Sequence, residues 1–256
     1  MRVTWYRTAS LMLETDKGKK IAVDPYLQYP IKKDKLKQRF LQADRVLITH
    51  GHFDHIEDIA DIYKDRDVRI YGTKTPLKKI IKRGVKRSGT HPVRPGSKIK
   101  FDDMHVTVYQ SRHCRFDFPM LAKTMFSRAV WRHPMDALEI IFKHFSFREK
   151  GETVFYECEE HGRRLQIMGS MNLDPKIKYP AGADVLILPF QGRSDRDVYA
   201  RQFIRRLKPK RVYLDHYDSA FPPVSQQIDT RFFCAVVEEE FGIPCEAMIY
   251  GERIRV

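Results

Sequence analysis

The stretch Leu47-Ile48-Thr49-His50-Gly51-His52-Phe53-Asp54-His55 places four potential metal ligands within six residues. It follows an apolar run that reads as a strand and leads into one that reads as a helix. Side chains alternate along an extended chain, so His50 and His52 fall on one side and both imidazoles can reach one cation. Asp54 and His55 come at the turn into the helix, from which they can face a second cation nearby. Imidazoles and a carboxylate without a thiolate suit Zn²⁺, Fe²⁺ or Mn²⁺. Gly51 lets the backbone bend between the ligands. A cation held this way acidifies water to a pKa of about 7 and polarises the oxygen under attack, so the expected chemistry is hydrolysis. No GxSxG elbow or phosphate-binding loop offers another route.

The elements that must position these residues follow from periodicity and turn chemistry. Residues 3–6, 10–14 and 19–23 read as strands, the last two joined by the turn Thr15-Asp16-Lys17-Gly18. A Lys-rich helix is expected over 31–41, a strand over 45–49, a helix over 56–64, a strand over 68–71 and a helix over 75–82 ending before Gly84. Strands follow at 98–101 and 105–110. The second half repeats the style. It has a hairpin of 153–157 and 164–168 around His161-Gly162, a strand at 184–188, a helix over 196–207, a strand at 211–214 and a helix over 226–241 closed by Gly242. Two such halves predict a layered α/β sandwich. Between them, residues 115–148 carry apolar and aromatic residues interleaved with Lys123, Arg128, Arg132, Lys143 and Arg148. They read as two amphipathic helices broken near His133-Pro134. This pattern fits a helical pair packed on the core, a lid over an apolar substrate, or an interfacial membrane patch.

Composition sets the outer bounds. With 256 residues and 42% apolar content spread along the chain, a core can be buried; a disordered tail, collagen, a coiled coil and a disulfide miniprotein are excluded. Lys+Arg minus Asp+Glu is 47 − 33 = +14, which suits a solvated surface and also admits phosphates, nucleic acid or anionic lipid. The four cysteines lack CxxC spacing. The N-terminus carries no long apolar stretch and no run approaches the ~18 residues of a membrane span, so a cytoplasmic location is expected.

His50-Gly51-His52-Phe53-Asp54-His55 resembles the HxHxDH signature of the metallo-β-lactamase superfamily. Ile21-Ala22-Val23-Asp24-Pro25 resembles that family's early strand-Asp motif. His113, after the 105–110 strand, stands where the third-motif histidine is expected, and His216 in Leu214-Asp215-His216-Tyr217-Asp218 resembles the last-motif histidine. Phe221-Pro222-Pro223 is similar to the "HY…FP" ending of a branch that includes ascorbate-6-phosphate lactonase and N-acyl-phosphatidylethanolamine phospholipase D. The likeness runs from Val3 to about Pro223. It implies a four-layer αββα sandwich of two mixed sheets with outer helices, one domain over 1–256 with 115–148 as a helical insertion able to act as a lid. It also implies that His50, His52 and His113 bind one divalent metal and that Asp54, His55 and His216 bind a second. Zinc is the first expectation, with manganese or iron as alternatives and one or two ions per chain. Asp24 would orient a ligand histidine, and Asp54 and His216 would act in catalysis.

One position departs from the family. Ser170, in Leu165-Gln166-Ile167-Met168-Gly169-Ser170, stands where a carboxylate usually bridges both metals. A neutral hydroxyl is the poorer ligand, which leaves a water-bridged pair, a single metal or a changed second site, with Asn172 or Asp174 as substitutes. Arg112, Arg115 and Arg193 lie near the site segments and, with the net charge, point to a small anionic ester, lactone or phosphodiester. The apolar segment points instead to a substrate with a greasy part. A nuclease acting on RNA or DNA is an alternative, disfavoured by dispersed Lys and Arg and by the lack of an extra domain. A non-catalytic metal-binding or membrane-associated module is another. His91, His105 and His161 are expected to face solvent.

Overall fold

The computed structural model describes residues 1–27 and 33–256. Its first half runs β1 (Arg2–Trp5), β2 (Leu11–Glu14), β3 (Lys20–Val23), α1 (Lys33–Phe40), β4 (Arg45–Leu47), α2 (Phe53–Ile56), α3 (Ile59–Tyr63), β5 (Arg69–Gly72), α4 (Lys74–Lys82), β6 (Thr90–Pro92), β7 (Lys98–Phe101) and β8 (Met104–Gln110). Three helices follow, α5 (Phe118–Met125), α6 (Arg128–Arg132) and α7 (Pro134–Ser146). The second half is β9 (Val154–Glu160), β10 (Arg163–Met168), β11 (Val185–Pro189), α8 (Arg196–Leu207), β12 (Val212–Asp215), α9 (Arg231–Phe241), β13 (Cys245–Ala247) and β14 (Arg253–Arg255). Residues 31 and 32 of the expected first helix lie outside the described residues. No described helix is long and apolar enough to cross a membrane.

The strands form two seven-stranded sheets, β14-β1-β2-β3-β4-β5-β6 and β13-β12-β11-β10-β9-β8-β7. Each sheet is antiparallel over one run and parallel over the other. The parallel pairs are β3 to β6 in the first sheet and β10 to β13 in the second. Tight turns can join antiparallel strands, whereas parallel neighbours need crossovers, and α1, α3, α4, α8 and α9 lie in those crossovers. The β9–β10 hairpin closes through His161 and Gly162, both at positive φ (50° and 77°), as a two-residue turn matching the strand twist requires.

Strand alternation explains the layers. Ile21, Val23 and Leu47 of the first sheet meet Val106, Tyr156, Ile167 and Ile187 of the second between the sheets. The intervening Ala22 and Val46 face outward onto Phe40, Ile59 and Ile80. In the second sheet Leu186, Leu188 and Leu214 face outward onto Phe203, Leu207 and Phe233. Both faces of each sheet are thus covered, which is why the central strands are apolar without interruption. The result is a four-layer αββα sandwich.

Two expectations need correction. The helix expected over 226–241 begins only at Arg231; Ile228 instead donates its N–H to the Tyr217 carbonyl (2.8 Å), holding the preceding residues in a loop. The segment 115–148 forms three helices, because Ser127 caps a separate α6 through its hydroxyl on Val130 N–H (3.3 Å), in addition to the break at His133.

Candidate metal centre

Every ligand candidate sits just beyond the carboxyl end of a strand. Asp24 follows β3, Thr49 to His55 follow β4, His113 follows β8, Gly169 and Ser170 follow β10, and His216 follows β12. Polar side chains gather there because the strand ends stop burying apolar residues, as in α/β sheets generally. Asp24 and His216 adopt positive φ (44° and 53°), conformations that cost a non-glycine residue free energy and persist only where the surroundings hold them.

The geometry brings the candidates into two adjoining groups. Ligand atoms of His50, His52 and His113 lie within 4.8 Å of one another, and so do those of Asp54, His55 and His216. The ring centroids of His50 and His55, one from each group, are 3.9 Å apart. Asp54 Oδ2 is 3.0 Å from His216 Nε2 and 3.3 Å from His55 Nε2.

Hydrogen-bond accounting fixes which nitrogens are free. Thr49 donates its hydroxyl to Asp24 Oδ2 (2.5 Å) and its N–H to Asp24 Oδ1 (2.7 Å). That hydroxyl hydrogen is spent, so towards His50 Nδ1 (3.0 Å) Thr49 can only accept. His55 Nδ1–H donates to Asp24 Oδ2 (2.7 Å), and His113 Nδ1–H donates to the Cys114 carbonyl (2.7 Å). In His50 and His113 Nδ1 carries the proton and Nε2 keeps a lone pair, whereas His55 faces a carboxylate through each nitrogen, Asp24 at Nδ1 and Asp54 at Nε2. His50 Nε2 is buried without a hydrogen-bond partner. A buried bare lone pair is costly unless something accepts it, and imidazoles oriented from behind in this way fit a divalent cation.

Electrostatics separates the two groups. Burial, reinforced by His55, His52 and His113, holds His50 well below its ordinary range. Burial and His113 push His52 down to about 2, and burial lowers His113 to about 4 against the opposing Cys114 carbonyl. These three are neutral, ligand-ready bases at ordinary pH. His55 is also buried, but Asp54 and Asp24 outweigh that and raise it to about 10. His216 likewise moves up against burial through its bond to Asp54. Asp54 is held well below the usual carboxylate range, because His55 and His216 outweigh its burial.

Ser170 is buried beside the centre, and its Oγ accepts the Cys114 N–H (2.9 Å). Asp174 turns to Arg112 (3.1 Å) and to Lys176 N–H, and Asn172 donates its amide to the His113 carbonyl (3.0 Å). Among the described residues neither joins a ligand group. Gly169 is required by close approach: a Cβ there would meet Thr49 Cβ and the Val154 carbonyl, both at 2.6 Å.

The centre forms the floor of a cavity of about 850 Å³ walled by α5, the Phe126-Ser127 link, α7, Gly192-Arg193, Arg196 and the 221–229 loop. Arg193 lines it, paired with Asp195 (2.6 Å); Arg112 and Arg115 are not among the lining residues. His105 and His161 are exposed, whereas His91 is half-buried and stacked on Tyr71 at 5.0 Å. Sequence reasoning missed three neighbours of the site. His144 of α7 places its ring 4.8 Å from that of His52, and its spacing from Ile140 and Ile141 marks the helix face that lines the cavity. Arg196 lines the cavity with its Nε buried and unpartnered. Burial drives the Asp215 carboxyl up to about 7, and neither of its oxygens has a hydrogen bond.

Residues 2–214 match the sequence profile of the beta-lactamase superfamily domain. A metal-dependent hydrolase of Pyrobaculum arsenaticum is 33% identical over 240 residues, 93% of this chain and 92% of that protein. Another, of Pyrobaculum islandicum, is 31% identical over 113 residues; that match spans 44% of this chain and about half (49%) of that protein. Among solved structures, a metallo hydrolase of Ignicoccus hospitalis shares the fold with a TM-score of 0.68 at 19% identity, covering 99% of this chain and 97% of that one.

Proposed function

We infer the reaction from one premise: the chain belongs to the metallo-β-lactamase superfamily. It is a metal-dependent hydrolase. The observation that carries this reading is the convergence of His50, His52, His113, Asp54, His55 and His216 from three distant parts of the chain. The first three would hold one divalent cation and the last three a second. Zinc suits this nitrogen-rich set, and manganese or iron are the alternatives. When bound, such a cation lowers the pKa of a water to about 7 and polarises the carbonyl or phosphoryl oxygen under attack.

The chain's own groups supply the remaining parts. Asp24 and Thr49 orient the His55 and His50 rings from behind through Nδ1, and His55 would release its Nε2 proton on taking a cation. Asp54 is ionised at neutral pH and uses Oδ2 on His216 and His55, leaving its other oxygen to take a hydrogen bond from the attacking water. His216 holds that carboxylate in place. Arg193, Arg196 and Lys123 line the cavity and favour an anionic ester, lactone or phosphodiester. The apolar wall from α5 and α7 keeps bulk water from the reacting groups.

The test uses metal-loaded protein on a chromogenic panel of aryl esters, a lactone and a phosphodiester. Turnover of at least one class is expected, abolished by a chelator and by His52→Ala, and restored by zinc in the unmutated chain alone. Inertness towards the whole panel, or turnover that survives chelation, contradicts the reading.

A further inference from the structure

The apolar side chains that the fold leaves in water are concentrated in one place. Among the described residues, eleven of the fifteen exposed large hydrophobics lie between Phe116 and Phe145. Phe118 is 80% exposed, Phe126 77% and Trp131 71%. Helices α5 and α6 bury no residue and α7 buries only Ala137. Polar contacts tie the segment down at its edges, through Lys143 to Glu57 (3.2 Å) and Lys79 to the Ser146 carbonyl (2.9 Å). A concentration of exposed apolar groups on this scale marks an interaction surface.

Charge indicates what covers it. Residues 115–148 carry six Lys or Arg against three Asp or Glu, 6 − 3 = +3, on a chain of net charge +14. Two copies meeting through this face would bring like charges together. An anionic bilayer satisfies both features at once, since its interface takes aromatic and aliphatic side chains while its headgroups attract the basic ones. Two of these helices, α5 and α7, also reach the centre. Met120, Ile140 and Ile141 line the cavity, and His144 stands beside His52 at its floor.

We propose that α5–α7 dock the protein on an anionic phospholipid surface, so that the cavity receives the apolar part of a membrane amphiphile. Docking itself requires only the exposed face and its charge. The placement of a substrate additionally rests on the hydrolase reading, and the experiment separates the two. Metal-loaded full-length protein is sedimented with vesicles of phosphatidylcholine, with or without about 30 mol% phosphatidylglycerol. The expected result is binding at least about tenfold tighter to the anionic vesicles, weakening with salt. Phe118→Ser, Phe126→Ser and Trp131→Ser combined should abolish that preference while the unfolding midpoint stays unchanged, because these side chains are already exposed. Absence of vesicle binding, or equal binding by the triple variant, overturns the proposal. A dimer in sedimentation equilibrium that the triple variant dissolves would assign the face to a second copy instead. None of these readouts depends on turnover, so failure of the hydrolase reading leaves them intact.

Discussion

At the scale of single residues, the side chain that joins fold to chemistry is Asp24. It is wholly buried, sits at positive φ, and accepts from Thr49 N–H, Thr49 Oγ1 and His55 Nδ1. The histidines it organises make metal-free stability depend on pH with a definite sign. His50, His52 and His113 have folded pKa values depressed below about 6.5, so their contribution is present above that pH and is lost as pH falls towards the folded values, about 4 for His113 and about 2 for His52. His55 and His216 act oppositely: their contribution is full below about 6.5 and is lost as pH rises, for His55 through about 10. Urea unfolding of chelated protein between about pH 5 and 6 should show stability rising with pH, and His52→Asn should flatten the slope by about 1.4 kcal/mol per pH unit. Identical slopes would contradict the neutral assignment of His52. The His50–His55 quartet was legible in the sequence because its spacing is local. Asp215, His144 and Arg196 were not, since only tertiary packing decides that an ordinary polar residue ends up buried against the site.

At the scale of elements, the centre depends on how closely β4 and β10 approach. Gly169 gives Thr49 and Val154 the room they occupy. Gly169→Ala is expected to cost about 1–3 kcal/mol in chemical denaturation and to weaken metal binding by displacing Thr49 from His50 and Asp24. Unchanged stability and affinity would show that the contact is slack. Strands of four or more residues were readable because alternation and β-branching persist long enough to register. The three-residue strands β6, β13 and β14, unlike β4 with its apolar continuation to Ile48, carry too little pattern and exist because longer neighbours pair with them. The 226–230 stretch had helical composition, yet a long-range bond from Ile228 to Tyr217 overrode that propensity and made it a cavity wall. In the 115–148 segment the apolar pattern signalled helices without telling inward faces from outward ones. The exposure of Phe118 and Trp131 became visible only in three dimensions.

At the scale of the whole molecule, two sheets with matching antiparallel and parallel runs put the ends of β3, β4, β8, β10 and β12 at one rim. Residues from positions 24 to 216 therefore share one centre, and the chain between β8 and β9 roofs it. The family motifs made this architecture readable in advance, because each motif histidine follows a strand. The replacement of a bridging carboxylate by Ser170 was equally visible. Its consequence was not: Ser170 is committed to Cys114 N–H, and Asp174 turns away to Arg112. Anomalous-scattering maps of zinc-reconstituted crystals test the central claim most directly. The account predicts a peak between the Nε2 atoms of His50 and His113 and the His52 ring, with a second among Asp54, His55 and His216. Maps without a peak at either position, from protein shown to be folded and zinc-saturated in solution, would contradict it.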